Sequence, residues 1–427
     1  MNKKLLLTFG TALLMTSTLL RSQTEQIIKC GTPELPQDFE EWLAPLIQAR
    51  LADPSTAAVA YNIPTIVHVI NNGEAIGTGQ NISTAQINSQ FDVLNEDFKK
   101  LNADWTSTPS WWTSLVANCT LTFCKALRTP AGNALATPGY ERINRNTLTT
   151  TAPPYTMAQF TSLIKPGSIW DPTKYCNIWV TSLSGGVIGY ATFPANSTLT
   201  GLSGPYGTTT TDGVVIHYTC FGRVGNLDPN YNKGRTLTHE LGHWLGLRHI
   251  NGDGNCATDY VADTPAQEAL HFGCISTYPY HTTQCSGNTT NGEMCMNYMD
   301  YTDDQCMFMF TNGQNTRIQT CMANGTYRVG LNTSNGCIAV SINDIDNSNR
   351  FDLFPNPTTG LLTIKPLDDA MGTTVKIYNT IGEVIYEIKV DVSGDIKIDL
   401  STYGNGVYFV ELSNEAGMST QKVTLTK

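Results

Sequence analysis

The sequence has few charged side chains, and acidic residues outnumber basic ones. Only 15% of its 427 residues are charged, and the formal net charge is −10. Nucleic acids and anionic lipid surfaces attract proteins of the opposite charge. The composition therefore argues against a nucleic-acid partner and against binding to an anionic membrane surface.

Long apolar runs are missing beyond the N-terminus. Residues 5–20 are largely apolar but interrupted by Thr, Ser and Gly, which makes them marginal for spanning a bilayer. Lys3 and Lys4 precede this run, and Ser22-Gln23 is a suitable cleavage point. The pattern predicts a secretory signal peptide over residues 1–22 and no transmembrane segment.

The chain has twelve cysteines but no Cys-x-x-Cys pair. The missing pairs argue against thiolate zinc fingers, and twelve cysteines in a secreted chain indicate disulfides. Sequence alone does not give their connectivity. Cys119 and Cys124, which are close in sequence, are candidates for a small disulfide-closed loop.

Histidine is scarce, yet three of the seven histidines fall within residues 239–249, which read His-Glu-Leu-Gly-His-Trp-Leu-Gly-Leu-Arg-His. On a helix, His239 and His243 share a face and can bind one zinc ion. Gly246 permits a sharp turn that returns His249 as a third ligand. Three protein ligands leave one position open, as in a catalytic zinc site, and Glu240 can act on a water there. Incidental histidines on a buried helix are the alternative, but the extended pattern is far rarer than His-Glu-x-x-His.

This pattern resembles the long zinc-binding signature of the metzincin metallopeptidases, which also have a methionine turn beneath the metal. The resemblance implies that Met299 lies under the site and that Tyr301 points toward it. Within the metzincins, the chain resembles the pappalysin family from about residue 63 to about residue 321. The segments that carry this resemblance are Ile63–Ile70, Asn177–Val180, Gly189–Pro194, Asp212–Ile216, the signature, Asp263–Pro265 and Asn297–Tyr301.

The pappalysin resemblance also implies structure between the signature and the methionine turn. It implies two disulfides, Cys256 with Cys285 and Cys274 with Cys306. It supports a structural calcium ion on hard oxygen ligands, for which the candidates are Asp259, Asp263 and Thr264, with Asp253 close by. A solvated acidic loop is the alternative. Asp304 follows the methionine turn, and a buried carboxylate there would favour Arg or Lys in the substrate.

Residues 23–50 resemble a pro-segment that precedes the first strand. A thiolate is a good fourth ligand for zinc, so Cys30 is a candidate latency switch that displaces the catalytic water. Pappalysin-like proteins often carry such a Cys-Gly near the N-terminus. A disulfide to Cys30 is the alternative. Cleavage at Arg50-Leu51 would release the segment.

The catalytic domain is predicted to span residues 51–325. Strands are expected over 65–70, 176–181 and 213–218, and an amphipathic helix over 82–101. This predicts an α/β (α+β) metzincin domain, a mixed sheet with two long helices, the second of which carries His239 and His243. Gly189–Pro194 is the predicted edge strand that pairs with the substrate.

A polar linker is predicted over residues 326–350, and alternating short strands predict a β-sandwich over residues 351–427. This module resembles the C-terminal sorting domain of the type IX secretion system, on Pro355-Asn356-Pro357, residues 378–382 and Lys422–Lys427. The resemblance implies export through the periplasm of a Gram-negative, Bacteroidetes-type bacterium to its surface or beyond. A generic carbohydrate- or protein-binding sandwich is the alternative.

Together these features predict a monomeric, secreted zinc endopeptidase that is made as a latent zymogen. Its partners would be protein or peptide substrates and the type IX secretion machinery, and Glu240 would act as the general base. The alternative is a catalytically weak or inactive adhesin that keeps the metzincin scaffold.

Overall fold

The computed structural model describes residues 27–53, 59–195, 205–282, 284–285, 290–340, 351–366, 373–390, 394–414 and 417–427. The predicted signal peptide, residues 1–22, and residues 341–350 of the predicted linker lie outside the described residues. Within the described ranges, no helix has both the length and the apolar character needed to cross a membrane.

A mixed sheet forms the centre of the first domain. Its strands are β1 Tyr61–Asn71, β2 Leu121–Lys125, β3 Tyr140–Asn144, β4 Cys176–Thr181, β5 Gly189–Ala191 and β6 Val214–His217. The strand order is β2-β1-β4-β6-β5, and β3 pairs with the second half of β1. All pairs are parallel except β5 with β6. The antiparallel β5 therefore forms one edge of the sheet, where the sequence predicted the substrate-binding strand.

The described α-helices are α1 Gln37–Ala52, α2 Thr84–Asp97, α3 Met157–Leu163, α4 Lys165–Ser168, α5 Arg235–Trp244 and α6 Asn312–Asn324. Short 3-10 turns occupy Ala103–Ser107, Thr113–Leu115, Arg145–Thr147, Tyr218–Cys220 and Val329–Thr333. The apolar stripe of α2 is buried, as expected from its spacing, and Ser83 caps its first turn by accepting from Gln86 N. The helix ends earlier than the predicted residue 101, and Lys100 already has a φ of +57°.

Helix α5 is buried along its whole length and ends directly after the second histidine of the signature. Gly246 has a φ of +92°, a left-handed conformation that glycine adopts without a steric cost. A Cβ at this position would also collide with Cys321 Sγ. The turn at Gly246 is what directs the following residues, including His249, back toward α5.

Residues 326–340 pack against the first domain, although they were predicted to belong to the linker. Arg328 is buried and forms an ion pair of 2.9 Å with Asp212, and Leu331 is buried in the same core. Cys337 forms a disulfide with Cys124, so the predicted Cys119–Cys124 loop is wrong and Cys119 is a buried free thiol. These contacts favour a domain end near residue 340 over the predicted end at 325.

The C-terminal module consists of two antiparallel sheets with a shared apolar core, the predicted β-sandwich. Its strands are β7 Phe351–Phe354, β8 Leu361–Pro366, β9 Thr373–Tyr378, β10 Val384–Val390, β11 Ile396–Asp399, β12 Gly406–Asn414 and β13 Gly417–Leu425. One sheet has the order β10-β9-β12-β13 and the other β11-β8-β7. Inward-facing residues of both sheets, such as Ile364 and Val410, are fully buried in one cluster.

Candidate active site

The three signature histidines converge on one point. His243 Nε2 lies 3.2 Å from His239 Nε2 and 3.1 Å from His249 Nε2. The Nδ1 atoms of two of these rings donate hydrogen bonds to backbone carbonyls. His239 Nδ1 donates to the Tyr298 carbonyl, and His243 Nδ1 donates to the Leu247 carbonyl. Because those Nδ1 atoms donate, the Nε2 lone pairs face one another, an arrangement that a cation stabilises.

Burial and the neighbouring imidazoles lower the pKa of His239 and lower that of His243 to about 3. Both rings are therefore neutral near pH 7, which is the protonation state that binds a metal. The donor chemistry fits Zn²⁺, which prefers tetrahedral nitrogen and sulfur ligands. The fourth donor at this point is the thiol of Cys30, which belongs to the same cluster.

Glu240 lies beside this cluster on α5 and is buried. Burial raises the pKa of its carboxyl to about 8. Gly189 of the edge strand β5 packs directly on it, because a Cβ at that position would come within 2.9 Å of Glu240 Oε1. The absence of a side chain at Gly189 thus keeps the edge strand close to the carboxylate.

The methionine turn lies where the sequence predicted it. Met299 is buried beneath α5, and a Cβ at Gly242 would collide with its sulfur atom. Tyr301 points its hydroxyl at the histidine cluster, 3.1 Å from His249 Nε2. Burial, followed by the charges of nearby groups, raises the pKa of this phenol, so it remains a hydrogen-bond donor.

Asp253 has a role that the sequence did not reveal. Its Oδ1 lies 2.6 Å from Nδ1 of His249, which orients the third histidine of the signature. Its other oxygen pairs with Arg248 at 3.3 Å. The spacing of four residues from His249 was the available signal, although Asp253 was expected to lie close to the calcium ligands.

Residues 28–32 run along the edge strand β5 and cover the site. Ile28 forms a parallel bridge with Val187, and Gly31 N donates to the Gly189 carbonyl at 2.8 Å. Between them, Cys30 Sγ joins the histidine cluster and lies 3.5 Å from Glu240 Oε2. No disulfide involves Cys30 within the described residues.

Thr32, which was not predicted as a site residue, completes this cover. Its hydroxyl donates to Glu240 Oε2 at 2.8 Å and accepts from Ala191 N of β5 at 2.8 Å. The proposed general base is therefore hydrogen-bonded to the N-terminal segment, which also occupies the backbone edge of β5.

Lys29 is fully buried behind the methionine turn, in a pocket next to Tyr231 and Thr302. Its ammonium donates to the Thr302 carbonyl and lies 5.2 Å from the centre of the Tyr231 ring. Burial lowers the pKa of Lys29 to about 8, and the charge of Asp304 opposes this effect more than that of any other group. The pocket therefore holds a basic side chain in this structure.

Asp304 is buried at the beginning of α5. Its Oδ2 accepts from the backbone N–H groups of Lys233 and Arg235 at 2.9 and 3.1 Å. Its Oδ1 is buried without a hydrogen-bond partner. The carboxylate is thus fixed by one oxygen, and the other remains available to a basic group in the pocket.

The predicted calcium ligands are only partly brought together. The Thr264 hydroxyl lies 2.8 Å from both Asp259 Oδ2 and the Val261 carbonyl, so three oxygen-bearing groups converge. Burial raises the pKa of Asp259 to about 7. Asp263 lies elsewhere: its carboxylate accepts from the Thr311 hydroxyl and from a backbone N–H at the beginning of α6. The favourable charge at a helix N-terminus explains this placement, which argues against Asp263 as a ligand.

The two disulfides that the resemblance implied, Cys256–Cys285 and Cys274–Cys306, are formed. They brace the irregular chain between α5 and α6.

Comparisons with known proteins show which families the chain is similar to. Residues 164–323 match the family described as pregnancy-associated plasma protein-A, and residues 352–426 match the secretion system C-terminal sorting domain. An extracellular metalloprotease of Pyricularia oryzae is 31% identical over 69% of this chain and 88% of its own length. A second, from Verticillium alfalfae, is 36% identical over 39% of this chain and 53% of its own length.

Two solved structures are also similar to this chain. Mature mirolysin of Tannerella forsythia, in complex with a cleaved peptide, is 40% identical, with a TM-score of 0.55 over 64% of this chain and 96% of that one. A promirolysin mutant from the same organism is 39% identical, with a TM-score of 0.57 over 71% and 97%. The sorting domain and the extracellular relatives indicate export to or beyond the surface of a Bacteroidetes-type bacterium. The chain belongs to the pappalysin family of metzincins and is a secreted zinc metalloendopeptidase with a type IX sorting domain.

Proposed function

We propose that His239, His243 and His249 hold the catalytic zinc and that Glu240 is the general base. The observation that carries this proposal is the convergence of three Nε2 atoms. The Nδ1 atom of each ring is held by another group, so the Nε2 atoms remain for the metal. Zinc at such a site lowers the pKa of a bound water and polarises the scissile carbonyl.

The residues around that site supply the rest of the reaction. Glu240 takes a proton from the attacking water and delivers it to the leaving amine. Tyr301 donates a hydrogen bond to the developing charge on the carbonyl oxygen. Once the N-terminal segment has left it, the backbone edge of β5 binds an extended substrate by main-chain hydrogen bonds, which orients the scissile bond over Glu240.

We also propose that the predicted pro-segment, residues 23–50, keeps the enzyme latent, with Cys30 as the switch. Three contacts support this role: the Cys30 thiol in the histidine cluster, the Thr32 hydroxyl on Glu240, and the segment's pairing with β5. They occupy the fourth zinc position, the general base and the substrate edge together, so a substrate cannot bind before they are released.

The same segment supports a preference for Arg or Lys in the substrate. Lys29 fills the pocket that Asp304 borders, and the buried Asp304 Oδ1 has no hydrogen-bond partner. A substrate side chain with a guanidinium or ammonium group would satisfy that oxygen. Removal of the N-terminal segment would open this pocket to the substrate.

A structural calcium ion is proposed on Asp259, the Val261 carbonyl and Thr264, without Asp263. Asp259 is buried, and a buried carboxylate needs a cation or a proton. We further propose that the mature enzyme is a monomer, which sedimentation of the processed protein would test.

The test of the catalytic assignment uses the full chain with Cys30→Ala, to weaken latency, and the same chain with Glu240→Ala added. We expect the first to cleave casein and the second to be inactive although it binds zinc as well as the first. A zinc chelator should abolish the activity, and added zinc should restore it. Equal activity of the two chains would contradict the role of Glu240.

A further inference from the structure

A second cluster of metal-ligating side chains lies outside the active site, in the disulfide-braced chain between α5 and α6. It consists of His271, Glu293 and Cys295, which are all buried. One donor atom from each lies within 4.8 Å of the others. Neither the zinc signature nor the sorting domain includes these residues.

The imidazole of His271 is oriented as a metal-binding histidine is. Its Nδ1 lies 2.9 Å from Asp300 Oδ2, and its backbone N–H donates to the other oxygen of the same carboxylate at 2.7 Å. Its Nε2 is buried without a hydrogen-bond partner, although it lies 3.0 Å from Glu293 Oε2, off the direction that a hydrogen bond requires. A histidine that engages a carboxylate through one nitrogen and keeps the other free is typical of metal ligands.

The other two groups present donor atoms to the same place. Glu293 Oε1 accepts from Glu268 N at 2.6 Å, which leaves Oε2 facing the imidazoles of His271 and His281, each at 3.0 Å. Cys295 is a free thiol, and its sulfur lies 3.8 Å from the carbonyl oxygen of Glu293. Around a tetrahedral zinc with bonds of about 2.0 to 2.3 Å, donor atoms lie about 3.3 to 3.8 Å apart. The observed spacing requires only small side-chain movements.

Charge favours a cation at this place. The imidazole of His271 lies 2.9 Å from a carboxylate oxygen of Asp300 and 3.0 Å from one of Glu293. Two fully buried carboxylates, Glu293 and Asp300, face this one ring. A proton on His271 would satisfy them as a plain ion pair, and a divalent cation would satisfy them as well. The thiol favours the metal, because an ion pair between His271 and Glu293 does not use Cys295.

We propose that His271, Glu293 and Cys295 bind a second transition-metal ion of the zinc type. His281, which also faces Glu293, is the proposed fourth ligand. Nitrogen, sulfur and carboxylate donors suit Zn²⁺, whereas Ca²⁺ and Mg²⁺ require oxygen ligands. Four protein ligands would close the coordination sphere, which is the arrangement of a structural site and not of a catalytic one.

Such an ion would stabilise one wall of the active site. Asp300 lies between the two sites: it holds His271 and also accepts from Tyr301 N at 2.7 Å. The ion would therefore join residues 271 and 293–295 to the turn that carries Met299 and Tyr301. Together with the two disulfides, it would fix the irregular chain from which that wall is built.

The test uses the full chain with Cys30→Ser and Glu240→Ala, so that neither the switch thiol nor proteolysis interferes. The protein is stripped of transition metals, kept in calcium buffer, loaded with Co²⁺ and passed through a desalting column. We expect about two cobalt ions per chain. We also expect a near-ultraviolet thiolate-to-cobalt charge-transfer band, which the all-histidine catalytic site cannot give.

Adding Cys295→Ser should remove the band and lower the content to about one cobalt ion per chain. Glu293→Gln should lower the cobalt content in the same way, and serves if the first variant does not fold. Cys176→Ser is the matched control, because Cys176 is another buried free thiol, and it should change neither quantity. About one cobalt ion per chain without the band, before Cys295 is changed, would show that the cluster is only an ion pair. No bound cobalt at all would overturn this site and the proposed catalytic one together.

Discussion

The substitution Glu40→Gln should weaken latency without affecting the mature enzyme. Glu40 lies on α1, and its buried carboxylate binds Arg317 through two hydrogen bonds of 2.7 and 2.6 Å. It also accepts from Arg248 Nε at 2.8 Å. Phe39 and Leu43 on the same helix are fully buried against the catalytic domain. The ion pairs and the apolar contacts together attach the helix.

The size of the effect follows from the burial of the pair. Removing one partner of a buried ion pair costs about 3 to 5 kcal/mol, because the remaining charge stays desolvated. A glutamine still accepts one hydrogen bond from Arg317, so we take the lower value, about 3 kcal/mol. This corresponds to a roughly 100-fold larger population of chains whose N-terminal segment is displaced. Residual activity of the unprocessed chain should rise by the same factor.

The assay is cleavage of a fluorogenic peptide by unprocessed chain, with Glu41→Gln as the matched control. Glu41 is the next residue on α1 and is exposed, so its neutralisation should leave the residual activity unchanged. After the segment has been cut off and separated from the enzyme, all three proteins should have the same activity, because both positions have been removed. If unprocessed Glu40→Gln were as inactive as Glu41→Gln, the ion-pair attachment would not contribute to latency.

Three further predictions follow from the site. Asp304→Asn should reduce cleavage next to Arg and Lys at least 10-fold while sparing other peptides, measured as kcat/KM on matched peptides; an unchanged preference would refute the pocket assignment. Asp253→Asn should weaken zinc binding about 10- to 100-fold, measured by chelator competition, because it removes the carboxylate that orients His249; unaltered affinity would contradict that role. In calcium-free buffer, the free energy of unfolding should fall as pH rises from about 4 to 7. Asp259 has a pKa of about 7 in the folded protein, so it keeps a proton there that it loses in the unfolded chain. Calcium or Asp259→Asn should flatten this profile in thermal unfolding, and an identical slope in all three would exclude the calcium assignment.

The convergence of the three histidines could be predicted from sequence because its determinants are local. Helical geometry fixes the relation of His239 to His243, and the left-handed conformation of Gly246 fixes the return of the chain to His249. Strand β4 was predicted at its observed bounds because its residues form a continuous buried run. Such features depend on neighbours in sequence, and spacing is then sufficient.

The residues that sequence reasoning missed act across long separations. Lys29 contacts Thr302, Glu40 contacts Arg317, and Cys124 pairs with Cys337. No periodicity relates such positions, since the tertiary fold alone brings them together. Arg248 lies inside the signature, yet nothing in the sequence indicates that its partner is Glu40.

The N-terminal segment contacts the catalytic domain at three places. Cys30 lies at the histidine cluster, Lys29 in the pocket beside Asp304, and Glu40 on a pair of arginines. A single cut near Arg50 would break none of these contacts. It would remove the covalent link that keeps the segment at a high effective concentration next to the site, so release would then depend on dilution or on further cleavage. Activation should therefore be completed by dissociation of the segment, and the cut alone is its permissive step.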